Sequence, residues 1–218
     1  MKSLADIKFI LRSYATLPLC TRLFVLVRYL VCPWDLLLVS IEGCDTVLDI
    51  GTGHGLFLRL ARRRFPMLRG TGVDHDAQKI EAANKAEPQA GLIFCLSDQM
   101  DRLTPGKYSC VTFVDVLYSV PKRKWPGMLK LAHGFLRPGG TLIIKETINR
   151  PRWKYALCLA QETLAIKVLR YTKGAGPWIV PPDIYLELLE AAGFIISKHH
   201  RADKGYLWPH YLFVAQKR

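Results

Sequence analysis

Cysteine in metal-binding or redox spacing is missing from this chain. Its six cysteines, at positions 20, 32, 44, 95, 110 and 158, form no C-x-x-C pair, and no histidine stands at zinc-ligand spacing from them. A disulfide framework and a structural metal are therefore not what organises the fold. Reduced, mostly buried thiols in a cytoplasmic protein are what remains. Acid is also scarce: 18 Asp plus Glu face 31 Lys plus Arg, a formal charge of +13. Such a balance attracts nucleic acid, anionic lipid headgroups or an acidic protein without choosing among them. An uninterrupted run of the about 20 apolar residues that a membrane-spanning helix needs is absent too. The nearest approach, Leu23 to Ile41, is broken by Arg28, Pro33 and Asp35. No small-residue cleavage site follows a clean apolar core, and Lys2, Lys8, Arg12, Arg22 and Arg28 are spread through the region, which argues against a signal peptide.

What is present is a chain of 218 residues, 50% hydrophobic and 22% charged, the size and balance of one globular domain with a full core. Residues 1–43 read as two helices broken at Pro33, the second packing on a sheet ahead of its first strand. These helices either complete the core or offer an interfacial surface in which basic residues meet anionic headgroups and apolar ones dip below them.

The chain is organised around Val47-Leu48-Asp49-Ile50-Gly51-Thr52-Gly53-His54-Gly55, a short apolar run that ends in alternating glycines and opens onto the helical pattern Leu56 to Arg63. Strand, tight turn and helix in that order make a cradle for a nucleotide-type cofactor, because glycine admits positive φ and the amides of the following helix point at the ligand. A dinucleotide fingerprint would place its third glycine at Leu56, and here an acid, Asp49, precedes the first glycine instead. Downstream, Arg69 to Asp74 reads as a second strand ending in an acid, and an acid about 20 residues past such a turn accepts hydrogen bonds from ribose hydroxyls. Ala77 to Ala86 reads as a helix, Gly91 to Leu96 as a third strand running into Ser97-Asp98-Gln99-Met100, and Tyr108 to Val114 as a fourth leading to Asp115-Val116-Leu117-Tyr118. A helix over about Trp125 to Phe135 precedes the turn Pro138-Gly139-Gly140 and the strand Thr141 to Glu146.

An alternating G-x-G-x-G after an acidic strand end, followed by these acids and by a Pro-Gly-Gly turn into a fifth strand, resembles the class I S-adenosylmethionine-dependent methyltransferases from about Val47 to the C-terminus. The resemblance implies a single α/β domain over residues 1–218: a Rossmann-like, mostly parallel seven-stranded sheet with helices on both faces. Phe194 to Lys198 and Tyr211 to Ala215 would form its closing antiparallel pair. The implied cofactor is S-adenosylmethionine. Asp49, Gly51, Thr52, Gly53 and Gly55 would hold its methionine portion, Asp74 the ribose, and His75, Asp98 and Gln99 the adenine side, with Asp115 and Val116 flanking the reactive methyl. The alternative for Asp98 is a helix or turn cap. Tyr118 stands where the family's methylators of exocyclic nitrogens often carry an N-P-P-Y-like segment, and its neighbours Asp115-Val116-Leu117 do not match one.

Between strand five and the helix starting at Pro181-Pro182-Asp183, residues 147–181 exceed what a crossover needs. Trp153 to Arg170 has helical length and apolar residues on more than one face, which reads as a lid over a hydrophobic acceptor. Substrate contacts are expected from Tyr118, Glu146, Trp153, Tyr206 and His210. Lys145 and Glu146 read as a functional pair or a local ion pair. His199, His200 and His210 cluster near the last connection without a convergent ligand set, so no metal is expected; one of them as a general base is the more natural role. The expected reaction is methyl transfer to a hydrophobic or amphiphilic small molecule such as a lipid, polyketide or carrier-bound acyl chain. An acidic carrier protein or an anionic membrane surface is the expected partner, and the chain is expected in the cytoplasm or peripheral at a membrane. Two alternatives stand beside this: an RNA methyltransferase, favoured by charge but lacking any appended RNA-binding module, and a catalytically inactive cofactor-binding interaction subunit.

Overall fold

The computed structural model describes residues 2–156 and 178–218. Seven strands form one sheet in the order β3-β2-β1-β4-β5-β7-β6. They are β1 Thr46–Ile50, β2 Arg69–Asp74, β3 Leu92–Leu96, β4 Tyr108–Val114, β5 Leu136–Thr147, β6 Phe194–Arg201 and β7 His210–Lys217. The pairs from β3 across to β5 are parallel, while β7 runs antiparallel to both of its neighbours, β5 and β6. This is the expected doubly wound sheet with its closing antiparallel hairpin.

Side chains alternate between the two faces of a strand, and the sheet's two cores follow from that period. Val47, Cys110 and Ile143 face a core built with α1 Leu4–Ser13, α2 Leu19–Val31, α3 Trp34–Ser40, α4 Leu56–Arg64 and α5 Ala77–Lys85. Their neighbours Leu48, Val111 and Ile144 face the other core, built with α6 Trp125–Phe135 and α7 Pro182–Ala191. Central β4 is buried along its whole length, as a parallel strand covered on both faces should be. The Pro-Gly-Gly turn falls inside β5: pairing passes from Tyr108–Leu136 to Cys110–Thr141, so these residues loop out of register.

Two helices flank Pro33 as expected, with Trp34 of α3 stacked on Phe57 of α4 at 6.3 Å. The addition is α1, whose Ser3 hydroxyl accepts a hydrogen bond from the Ala5 amide, a local N-cap that the sequence carries in Ser3 and Asp6. Most of the expected lid helix and all of the loop Thr172 to Pro177, residues 157–177, lie outside the described residues.

Candidate active site

The carboxyl ends of β1, β2 and β3 lie side by side, with Asp49 in register with Gly72 and Asp74 in register with Leu96. This brings Asp49, Asp74 and the turn Ser97–Arg102 that carries Asp98 and Gln99 to one edge. Gly51, Gly53 and Gly55 all have positive φ, at 82°, 56° and 76°. At two of them a side chain is excluded by contact as well: a Cβ on Gly51 would run into the Val116 side chain, and one on Gly55 would lie 2.6 Å from the Phe94 ring.

The turn is tied to β2. The amides of Gly51 and Thr52 both donate to the Val73 carbonyl, at 2.7 and 3.0 Å, and the Gly53 amide donates to Asp74 Oδ2 at 2.8 Å. Asp74 Oδ1 accepts from the Asp76 amide at 2.9 Å and lies 3.4 Å from Nδ1 of the exposed His75. Asp74 thus shapes the glycine turn. Asp49 is buried and accepts from the Thr112 hydroxyl at 2.7 Å; burial pushes its pKa up to about 6, against the pull of that hydroxyl. The buried Thr52 side chain also favours the ionised form of Asp49.

The adjoining end of β4 and β5 holds a charge cluster. Lys145 Nζ lies 2.6 Å from both carboxylate oxygens of Asp115, and Arg28 of α2 reaches Oδ2 at 2.6 Å. Burial opposes ionisation of Asp115, but Lys145 and Arg28 more than offset it and hold the carboxyl well below its usual range. Asp115 is also the one non-glycine residue with positive φ among the described residues, at 57°, a conformation that aspartate tolerates better than most. Lys145 and Glu146 are not a pair, because consecutive strand residues face opposite sides of the sheet. Fully buried Glu146 turns under the loop after β4, where Oε1 accepts the amides of Val116 at 2.9 Å and Leu117 at 2.7 Å, and Oε2 lies 3.4 Å from that of Tyr118. Burial and the neighbouring Asp115 carboxylate raise its pKa to about 8, against the pull of the amides.

The remaining expected substrate residues divide into two groups. Tyr118 is half-buried, and its carbonyl accepts the Trp178 amide at 2.6 Å, so the chain re-enters beside the β4 loop. Trp153, Tyr206 and His210 gather instead around the β6–β7 connection. Lys154 Nζ donates there to the Asp203 carbonyl at 2.9 Å, Asp203 Oδ2 at 2.8 Å and the Tyr206 carbonyl at 2.6 Å, beside the exposed Trp153 ring. The Tyr206 and His210 rings lie 5.5 Å apart. His210 is buried with Nε2 2.8 Å from the Val31 carbonyl, and burial, then Lys145, lowers its pKa to about 3, which makes it a weak proton acceptor at neutral pH. The N-terminal helices roof the glycine turn: the Tyr14 hydroxyl donates to the His54 carbonyl at 2.8 Å, and the Phe24 and His54 rings are 5.3 Å apart. Sequence reasoning did not assign Arg28, Thr112 or Lys154. A cation inside an apolar run and a hydroxyl inside a fully buried strand were the available signals for the first two.

A family model described as a methyltransferase domain matches residues 30–199. The chain belongs to the methyltransferase-domain family. Its cofactor is S-adenosylmethionine. Among similar proteins, demethylspheroidene O-methyltransferase of Rhodobacter capsulatus is 30% identical over 72% of this chain and 38% of its own length. Sphingolipid C9-methyltransferase 1 of Gibberella zeae is 24% identical over 73% of the chain and 31% of its own length. The chain therefore spans only about a third of the length of these curated relatives. The solved human N-acetylserotonin methyltransferase, in complex with S-adenosylmethionine, has the same fold at a TM-score of 0.69 and 17% identity, covering 98% of this chain and 65% of that one.

The methyltransferase site fits that cofactor by its donor set. The buried carboxyl of Asp49, which would take the methionine ammonium, and the side-chain-free face of Gly53 lie together at one edge. Bound there, the cofactor supplies an electrophilic methyl group on a sulfonium.

Proposed function

We propose that this chain methylates a hydrophobic or amphiphilic small molecule: a lipid, a polyketide or a carrier-bound acyl chain. What carries the proposal is how the two buried acids at the carboxyl ends of β4 and β5 are used. Asp115 is committed to Lys145 and Arg28, and Glu146 to backbone amides, so neither is offered to an acceptor. A site whose acids are spent on architecture works by alignment and exclusion of water, which suits an acceptor gripped through apolar surface. The relatives named for demethylspheroidene and for a sphingolipid support the same reading. We place the reaction in the cytoplasm, with the acceptor presented by an acidic carrier protein or by a membrane surface.

Bound at the carboxyl edge of the sheet, S-adenosylmethionine would supply the methyl group to an electron-rich atom of the acceptor, and Asp49 with the glycine turn would hold its methionine portion. The chain's part is to hold Asp49, the glycine turn and the Val116 wall fixed around it. The test supplies the protein with isotope-labelled S-adenosylmethionine and either a total lipid extract, acylated carrier protein or structured RNA. Label appearing in the lipid or acyl fraction is the expected outcome. Label entering RNA in preference to both would overturn the proposal.

A further inference from the structure

Helix α2 is apolar on both of its faces. The inner face packs down through Val25, Tyr29 and Cys32, and Arg28 on that face reaches the carboxyl edge of the sheet at Asp115 and the Val114 carbonyl. On the opposite side, Leu19, Leu23, Val27 and Leu30 are 66%, 53%, 54% and 43% exposed. At about 100° per residue these four fall within an arc of about 80°. Leu4 and Leu11 on α1 and Leu36 and Val39 on α3 are exposed as well. Scattered exposed leucines are ordinary, but a continuous stripe of this kind marks a surface that meets something apolar.

We propose that this outer face of α2 docks the protein in the interfacial region of an anionic bilayer, with the helix lying in the membrane plane. No single helix among the described residues is long and apolar enough to cross a membrane, and α2 and α3 are bent by 73° about Pro33. The inner face, moreover, is held on the sheet by Arg28, so α2 can lie on a bilayer but not thread it. Charge selects the bilayer over a second copy of the chain. Residues 1–40 carry five basic side chains and two acidic ones; Arg28 is spent inward on Asp115 and Arg12 pairs with Glu87, while Lys8 stands exposed on α1 beside Leu4 and Leu11. The exposed run Lys122-Arg123-Lys124 follows the β4 loop at the same carboxyl edge over which α2 crosses. An isologous pairing of two chains at +13 would set like charges around an apolar seam, whereas anionic headgroups would neutralise them as the leucines enter the acyl boundary. Docking of this kind is separate from the identity of the acceptor, although it would bring the cofactor edge to the surface in which a lipid acceptor resides.

Flotation of the full chain with vesicles of equal parts phosphatidylcholine and phosphatidylglycerol tests the idea, with pure phosphatidylcholine vesicles as reference. The wild type is expected to float with the anionic vesicles and much less with the neutral ones. Leu23→Asp with Val27→Asp should cut that binding by about tenfold or more. Both positions are exposed, and S-adenosylmethionine affinity, measured by calorimetry in the absence of vesicles, should be unchanged. Flotation by the double variant equal to the wild type would overturn the proposal, as would no flotation by either protein. A wild-type dimer in analytical ultracentrifugation that the double variant splits, without vesicle binding, would overturn it too and make the stripe a homodimer seam. Because flotation needs no turnover, its failure is distinguishable from failure of the acceptor assay.

Discussion

Glu146 accepts both short amide bonds of the β4 loop on one oxygen, and this geometry predicts how the loop answers to substitution. A neutral side chain of the same shape can do the same, so Glu146→Gln should stay within about 1 kcal/mol of wild type in urea unfolding. Glu146→Ala leaves two amides without acceptors beneath the loop and should cost about 2–6 kcal/mol, at about 1–3 kcal/mol per unsatisfied group. Gln behaving as badly as Ala would mean that the loop requires the carboxylate anion. Asp49 makes the second prediction. Its pKa of about 6 lies above the ordinary 3.8, so the folded protein holds this proton more tightly than the unfolded chain does. Stability from this group is therefore full below about pH 4 and is lost as pH rises through about 6, while attraction for a cationic ligand runs the other way. S-adenosylmethionine should bind about tenfold more weakly near pH 5 than near pH 7.5 by calorimetry. In Asp49→Asn, affinity should be low and flat across that range; a pH dependence that survives the substitution would assign the titration to another group.

At the scale of the element, α2 joins the N-terminal helices to the site through one side chain. Arg28 pairs with Asp115, approaches the Val114 carbonyl at 3.4 Å and lies with its guanidinium 5.9 Å from the Trp34 ring centroid. Its side chain is 29% exposed, so Arg28→Met should cost less than breaking a fully buried pair, about 1–3 kcal/mol. Asp115 keeps Lys145, so the loss should fall on the helix. Amides of α2 should exchange faster in the variant while those of β1 and β4 keep their protection, since elements held by few contacts open locally. Uniform acceleration across the sheet would show instead that the ion pair supports the whole fold. The insertion is anchored in the same way: Lys154 fastens its beginning to the β6–β7 connection and the Trp178 amide fastens its end to Tyr118.

For the whole molecule, the order of elements and the cofactor edge were legible before any coordinates. Asp49, the glycines, Asp74 and the segment around Asp98 all belong to strand ends, and the positions of strand ends follow from local information: apolar runs bounded by glycine, proline and acid, with a period of two. β1 to β4 came out within a residue of their expected limits, whereas β5 begins at Leu136, before the Pro-Gly-Gly turn, and β6 runs on to Arg201; a doubly wound order sets β1, β2 and β3 side by side. The sequence by itself determined the cradle because each of its parts lies within a few residues of a glycine or a strand end. The charge network was decided only by tertiary structure. Arg28, Asp115 and Lys145 come from three separate elements, and nothing local to any of them indicates that the three side chains meet. The same holds for Lys145 and Glu146, adjacent in the chain, whose partners were settled by the sheet: its alternation sends one side chain toward α2 and the other beneath the loop after β4.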